Sequence, residues 1–255
     1  MRFSYAESMI DPSFYAPLAQ AAEEAGYHSM VIPDSICYPL HADSVYPYSP
    51  DGSREFLEGK PFVEPFSLIP ALGAVTSRIR FTTFVVKVPI RNPVLLAKQA
   101  TSTAVLTGNR LGLGVGTSPW REDYDVLGVD WAGRGRRLDE SIAILRGLTA
   151  GGYFEYHGQM YDLPRLLARL GELRREAADS SAGAPGTVPG ARGFEVHVIS
   201  AHAYTVDGVR RLAEQGVTDV IIGFRWPYAT GPDTQPLGEK LDNLRRYADD
   251  VIAKM

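Results

Sequence analysis

The chain has 255 residues, is 45% hydrophobic and 22% charged, and carries a formal net charge of −4. That length and balance suit one soluble α/β barrel-sized domain and offer no basic surface for nucleic acid or an anionic membrane. A single cysteine, Cys37, excludes an internal disulfide and any multi-cysteine metal site, and no apolar run approaches 18 residues, so a reducing cytoplasm is expected and a membrane span is not.

A first strand covers about residues 2–6. Asp11 caps the next helix, Pro12 takes its first position, and Gly26 follows its end. "SMVIPDS" is a second strand, apolar on both faces as buried parallel strands are. A polar and aromatic loop, roughly 36–61, is long enough to be expected to serve function. A helix near 63–76 leads to the third strand, "IRFTTFVVKV". Asn92-Pro93 opens another helix and Gly108 closes it. "RLGLGVGTS" is the fourth strand, and "GRGRRLDESIAILRGLTA" is an amphipathic helix stopped by Gly151-Gly152. "YFEYHGQMYDL" alternates around a His-Gly turn and reads as a hairpin. Pro164 then opens a helix over 165–178, followed by the small-residue and proline stretch "DSSAGAPGTVPGARG". "FEVHVIS" is a strand, Thr205 opens a helix, "VTDVIIGF" is the last strand, and a final helix runs to about Lys254. Two helices thus follow one another between the fourth and fifth core strands, which breaks an otherwise regular alternation.

"LTGNRLGLGVGTS", with "RGRRLDESIAILRGL" and "YFEYHGQMYDL" after it, resembles the luciferase-like monooxygenase family, and more narrowly its members that use the deazaflavin coenzyme F420. "GYHSMVIPDS", "TSRIRFTTFVVKVPIRNP" and "GVTDVIIGF" fit the same family in the same order. Each motif alone is weak; in register they cover nearly the whole chain. The resemblance implies an α/β fold derived from the (β/α)8 TIM barrel. Between the hairpin and the helix after it, family members carry a strand ending in a Gly-Gly turn, a helix, and another strand. That block is absent here, with the join at Pro164-Arg165, so six core parallel strands are expected. The expected organisation is one domain over 1–255: the first four βα units in 1–150, the hairpin in 151–164, and the last units in 165–255. Strands ending near Ser118 and beginning near Phe194 should flank the gap, and their unpaired edges make a homodimer the expected state.

Barrel enzymes act at the C-terminal ends of their strands. The candidates in strand order are Tyr5 and Glu7, Asp34 and Ser35, Phe84 to Lys87, Gly116 to Ser118, Ser200 and His202, and Phe224 to Trp226. A deazaflavin ring needs an apolar slot for its faces and a few donors at its edge. The resemblance implies that Asp34 sits beside that ring; a structural hydrogen bond at a strand end is the plain alternative. Ser35 stands where many relatives have histidine, which leaves Asp34, Ser35 and the nearby His41 as the catalytic candidates, an exposed loop histidine being the plain reading of His41. Phe84-Val85 matches the family's bulge behind the ring, often formed around a non-proline cis peptide. The alternative is a regular core strand with Lys87 snorkelling outward. Gly116, Thr117 and Ser118 match the position that serves the cofactor tail, although the glycines would equally allow tight packing. Arg225 lies just beyond the last strand, where barrels often bind phosphate. With Tyr5, Asp34 and Lys87 it completes the cofactor set. Arg121 reads as a solvated loop arginine, and His157 and His197 as structural. No cluster has metal spacing, so no metal is expected, and neither a nucleophile elbow nor a Walker loop occurs. Two functions stay open. One is an oxidoreductase moving hydride between F420, or alternatively FMN, and a small organic substrate. The other is a non-catalytic relic of the family that has lost the turn holding the cofactor's phosphate tail.

Overall fold

The computed structural model describes residues 1–167 and 195–255. In chain order the elements are β1 (Arg2–Ala6), α1 (Tyr15–Glu24), β2 (Ser29–Ile32), α2 (Pro65–Ala74), β3 (Arg80–Thr83), β4 (Val86–Lys87), α3 (Pro93–Leu106), β5 (Leu111–Gly112), β6 (Val115–Gly116), α4 (Arg121–Val126), α5 (Arg134–Ala150), β7 (Tyr153–His157), β8 (Asp162–Leu167), β9 (His197–Val198), α6 (Val206–Glu214), β10 (Asp219–Ile222) and α7 (Leu237–Asp250). Six of the strands form one all-parallel sheet in the order β5-β3-β2-β1-β10-β9. β4 and β6 pair in parallel as continuations of β3 and β5. The result is a curled half-barrel, an incomplete version of the eight-stranded closed form. Among the described residues its edges are β5/β6 on one side and β9 on the other, the two strands expected to flank the gap.

Alternation along the strands builds two faces. Phe3, Tyr5, Met30, Ile32, Phe81, Val220 and Ile222 point outward into a core shared with α1, α2, α6 and α7. A second core joins Val86 and Val88 to α3 and α5, and the β7–β8 hairpin packs Phe154, Tyr156 and Leu163 against it. The helix signals act largely as read. The Asn92 side chain accepts from the backbone N–H groups of Val94 and Leu95, and Thr205 Oγ1 accepts from that of Gly208. Asp11 caps a short 3-10 turn, Pro12–Phe14, which precedes α1. Gly151, at φ +81°, ends α5.

Four expectations need correction. Residues 165–167 are not helical: they extend β8, so the hairpin runs past Pro164. Phe154 pairs with Leu166 but Tyr156 pairs with Leu163, so Pro164 and Arg165 occupy a bulge, where a missing N–H costs no ladder bond. The remainder of the expected helix 165–178, and Phe194, lie outside the described residues. The third and fourth strands are each broken in two, at residues 84–85 and at 113–114. The segment after the fourth strand, expected as loop at Arg121, holds a short helix, α4. Finally, the strand expected over 194–200 is only His197–Val198 within the described residues. No helix among the described residues is long and apolar enough to cross a membrane.

Candidate active site

Asp34 leaves β2 with its carboxylate buried and turned onto the next strand. Arg91 Nη2 donates to Asp34 Oδ1 at 2.8 Å and to Oδ2 at 2.9 Å, and the Lys87 backbone N–H donates to Oδ2 at 3.1 Å. Lys87 in turn sends its ammonium inward, where Nζ donates to Asp123 Oδ2 at 2.6 Å. The same oxygen accepts from Ser118 Oγ at 2.6 Å, and Ser118 Oγ accepts the Trp120 N–H at 3.1 Å. The Lys87 and Asp123 side chains are 8% and 4% exposed, so this is a buried ion pair of the kind that persists only when its remaining valences are filled. Lys87 does not snorkel outward: its side chain is buried and its ammonium is paired with Asp123.

Between these ties Phe84 and Val85 project from the strand end. They are 42% and 37% exposed, while Thr83 and Val86 on either side are fully buried. The peptide bond joining them is cis. Val85 lies over β6: a Cβ on Gly116 would come within 2.7 Å of Val85 Cγ2, and one on Gly114 would meet the Thr83 carbonyl oxygen at 2.1 Å. The glycines of "GLGVG" therefore permit a close backbone approach. Thr117 is half-buried beside them.

Across the sheet, the ends of β1 and β10 meet in a second ionic cluster. Tyr5 Oη and Lys240 Nζ both donate to Glu7 Oε2 at 3.2 Å, and Lys240 Nζ lies 2.9 Å from Asp233 Oδ2. Arg225 Nη2 donates to the Ser8 carbonyl at 2.7 Å, and its Nε stands 3.6 Å from Glu7 Oε1. Burial works to raise the Asp233 carboxyl, but hydrogen bonds from Lys240 and the Gln235 amide outweigh it and hold it below the usual range. Tyr5 is fully buried; burial and then the Glu7 charge push its phenol well above the ordinary value. The structure thus puts Tyr5 in the core, and its own chain engages Arg225.

The long loop folds over this end of the sheet. Tyr46 stacks on Trp120 at 4.8 Å and meets Phe56 at 5.4 Å, and Phe56 meets Tyr228 at 5.2 Å. Arg54 lies 4.7 Å above Trp120 and donates to Glu122, whose other oxygen accepts the N–H groups of Asp43 and Ser44. The loop is fastened to the segments leaving β6 and β10. Ser35 is half-buried. His41 is exposed and lines an outer groove of about 490 Å³ with Arg121, Glu122 and Asp125, sharing no residue with the Asp34–Lys87 cluster. Ser200 caps a 3-10 turn, and His202 is exposed. His157 pairs with Asp162 in the hairpin, and His197 lies 3.1 Å from Glu195. Among the described residues no group of three His, Cys, Asp or Glu could hold a metal ion.

Arg91, Asp123, Asp233 and Lys240 escaped the sequence reading. One of them left a signal: Lys240 falls on the apolar stripe of α7 with Leu237, Leu241 and Leu244, where a solvated lysine has no place. The others sit in ordinary loop or helix-start contexts.

Comparison with known proteins is consistent with this geometry. The sequence profile described as luciferase-like monooxygenase matches residues 4–218. The chain is 52% identical over 299 aligned positions, covering all of both chains, to an uncharacterized protein of Mycobacterium tuberculosis. Among solved structures, the coenzyme F420 dependent tetrahydromethanopterin reductase of Methanopyrus kandleri superposes with a TM-score of 0.63 over 99% of each chain at 13% identity. The monooxygenase RslO1 of Streptomyces bottropensis superposes with a TM-score of 0.52 at 18% identity, over 97% of this chain and 65% of that one. The two structural likenesses speak to the fold; the profile and the 52% identity identify the chain as belonging to the luciferase-like monooxygenase family.

Proposed function

We propose that the chain is an oxidoreductase that binds a deazaflavin, F420, with FMN as the alternative, and moves hydride to or from a small organic substrate. The observation that carries this reading is the exposed Phe84–Val85 step, set between buried strands and backed by Gly116. An apolar step of this kind suits one face of a flat heteroaromatic ring, and the Thr117 hydroxyl and neighbouring backbone groups suit its polar edge. A bound deazaflavin supplies the hydride chemistry itself. The chain supplies the platform, and the loop bearing Tyr46 and Phe56 packs on Trp120 beyond the end of β6. Asp34 does not offer a free carboxylate, since Arg91 and the Lys87 amide occupy both of its oxygens. Its role in this reading is to hold the platform; His41 lies in the outer groove, and the proton-transfer candidate left beside the platform is Ser35.

The relic reading also has a specific support. The alignment with the mycobacterial relative spans 299 positions against 255 residues here, so about 44 of its positions face no residue of this chain. A strand–helix–strand unit is on the order of 30 residues or more. Its loss would remove backbone donors for the phosphate tail, and Arg225 is already bonded to Ser8 and flanked by Glu7.

The test is a fluorescence titration of the purified chain with F420 and, separately, FMN. Saturable binding of either at micromolar concentration is expected, with F420 the tighter. Binding of neither would overturn the oxidoreductase reading and leave the relic.

A further inference from the structure

Beside the Phe84–Val85 step, one continuous chain of bonds crosses three strand ends. It runs from Arg91 to Asp34, from Asp34 to the Lys87 backbone N–H, from the Lys87 ammonium to Asp123, and from Asp123 through Ser118 Oγ to the Trp120 amide. Lys87 is the link at which the chain changes from backbone to side chain, so it ties the end of β2 to the segment leaving β6. Its ammonium is 8% exposed and spent on Asp123, which makes direct contact with a ligand a poor use of it. Ser118 is likewise buried, stands at φ +57°, and gives its hydroxyl to Asp123. A non-glycine residue in the left-handed region is held there by its surroundings. The two walls of the platform, Val85 on one side and Gly116–Thr117 on the other, are already in contact through Val85 and Gly116. The β4–β6 pairing sets Gly116 beside Lys87 and the Tyr124 hydroxyl donates to the Thr117 carbonyl; beyond these, the Ser118 hydroxyl's bond to Asp123 is the buried side-chain tie that sets how Thr117 and Ser118 stand against that step.

We infer that Lys87 and Asp123 are positioning residues: their buried pair sets the placement of the Thr117–Ser118 segment against the Phe84–Val85 step, and through it the affinity for the coenzyme ring. This rests on the ring-binding reading above. Removing one charge alone would strand its partner in the interior. The informative variant is therefore the paired Lys87→Met/Asp123→Leu, which leaves no unpaired charge and deprives Ser118 of its acceptor while leaving every residue of the platform in place. Ser118→Ala, which keeps the ion pair, is the milder second variant.

Two measurements are made on the full chain. One is hydrogen exchange of the Trp120 amide without ligand. The other is fluorescence titration with the tail-less deazaflavin ring analogue. The expected result is that the paired variant accelerates Trp120 exchange while the amides of β1 keep their protection, and that both variants weaken ring binding at least threefold. A merely structural pair would slow or speed exchange throughout the core and leave ring affinity unchanged once the variant is folded. Unchanged Trp120 exchange in the paired variant, or ring affinity within threefold of the parent, overturns the inference. If the paired variant does not fold, the same two thresholds applied to Ser118→Ala decide. If the parent chain itself binds neither the ring analogue, F420 nor FMN, the ring-binding reading fails and takes this inference with it. Failure of the inference alone shows instead as a parent that binds and variants that bind equally well.

Discussion

Asp34 illustrates how one side chain answers two expectations. It stands at the strand end where family members place an acid beside the ring, yet its carboxylate is 1% exposed and wholly occupied by Arg91 and a backbone amide. Asp34→Asn is expected to destabilise the fold by about 3 kcal/mol, because it leaves the Arg91 guanidinium largely buried without a counter-charge. Urea denaturation checks this; an unchanged midpoint with lost coenzyme turnover would return Asp34 to a chemical role. His28 gives a residue-scale pH prediction. Burial, followed by the Arg2 and Arg80 charges, lowers its imidazole to about 4. A folded value below the unfolded one means that the unfolded chain takes up the proton first. The contribution of His28 is therefore complete above its unfolded value of about 6.5 and is lost as pH falls through 4. Urea midpoints for the parent and His28→Gln should diverge across that window, the parent falling more steeply towards acid. Asp219, which burial holds above the usual carboxyl range, is common to both and cancels in the difference.

At the scale of elements, the paired breaks at β3/β4 and β5/β6 govern the site. Gly114→Ala would drive a methyl into the Thr83 carbonyl oxygen, and backbone cannot step aside. A loss of about 3 kcal/mol or more is expected. Gly116→Ala meets only the tip of Val85, which can rotate, so about 1–2 kcal/mol is expected together with a weaker ring platform. Thermal or urea unfolding of the two variants should rank them in that order, and the reverse order would contradict the packing described. Most of this level was legible beforehand. The order of strands and helices, the Asn92 and Thr205 caps and the Gly151 stop follow from local rules of periodicity and capping, which depend on near neighbours in sequence. The hairpin's extension through Pro164 did not, because Pro164-Arg165 satisfies the local rule for a helix start and only pairing with β7 draws it into a strand.

At the scale of the molecule, the six-stranded sheet has parallel edges at β5/β6 and β9 among the described residues. Closure of a barrel links strand number to tilt and stagger, so a sheet of six strands would close only at a tilt and stagger different from those of eight. Exposed edges invite pairing with another chain, and a homodimer is the expected state. Light scattering at high micromolar concentration should give twice the chain mass, and a soluble monomer would refute it. The cofactor tail offers a second test at this scale. With Arg225 held by Ser8 and Glu7, full F420 and its tail-less ring analogue should bind within about threefold of each other, and Arg225→Ala should change neither strongly. A hundredfold preference for full F420, about 2.7 kcal/mol, would reveal a rebuilt phosphate site.

The sequence by itself determined the family, most of the succession of elements, and the Phe84–Val85 position of the bulge. Each of these is written in contiguous residues, as periodicity, caps or motif. Tertiary structure alone decided which of the named charges are paired, and with what. Asp34 with Arg91, Lys87 with Asp123, and Glu7 with Lys240 are 57, 36 and 233 positions apart in the chain. A charge is stable in the interior only where its partner is brought to it, and that meeting depends on how the strands are laid side by side. The charged side chains at these strand ends are, in this fold, spent on holding the strand ends together.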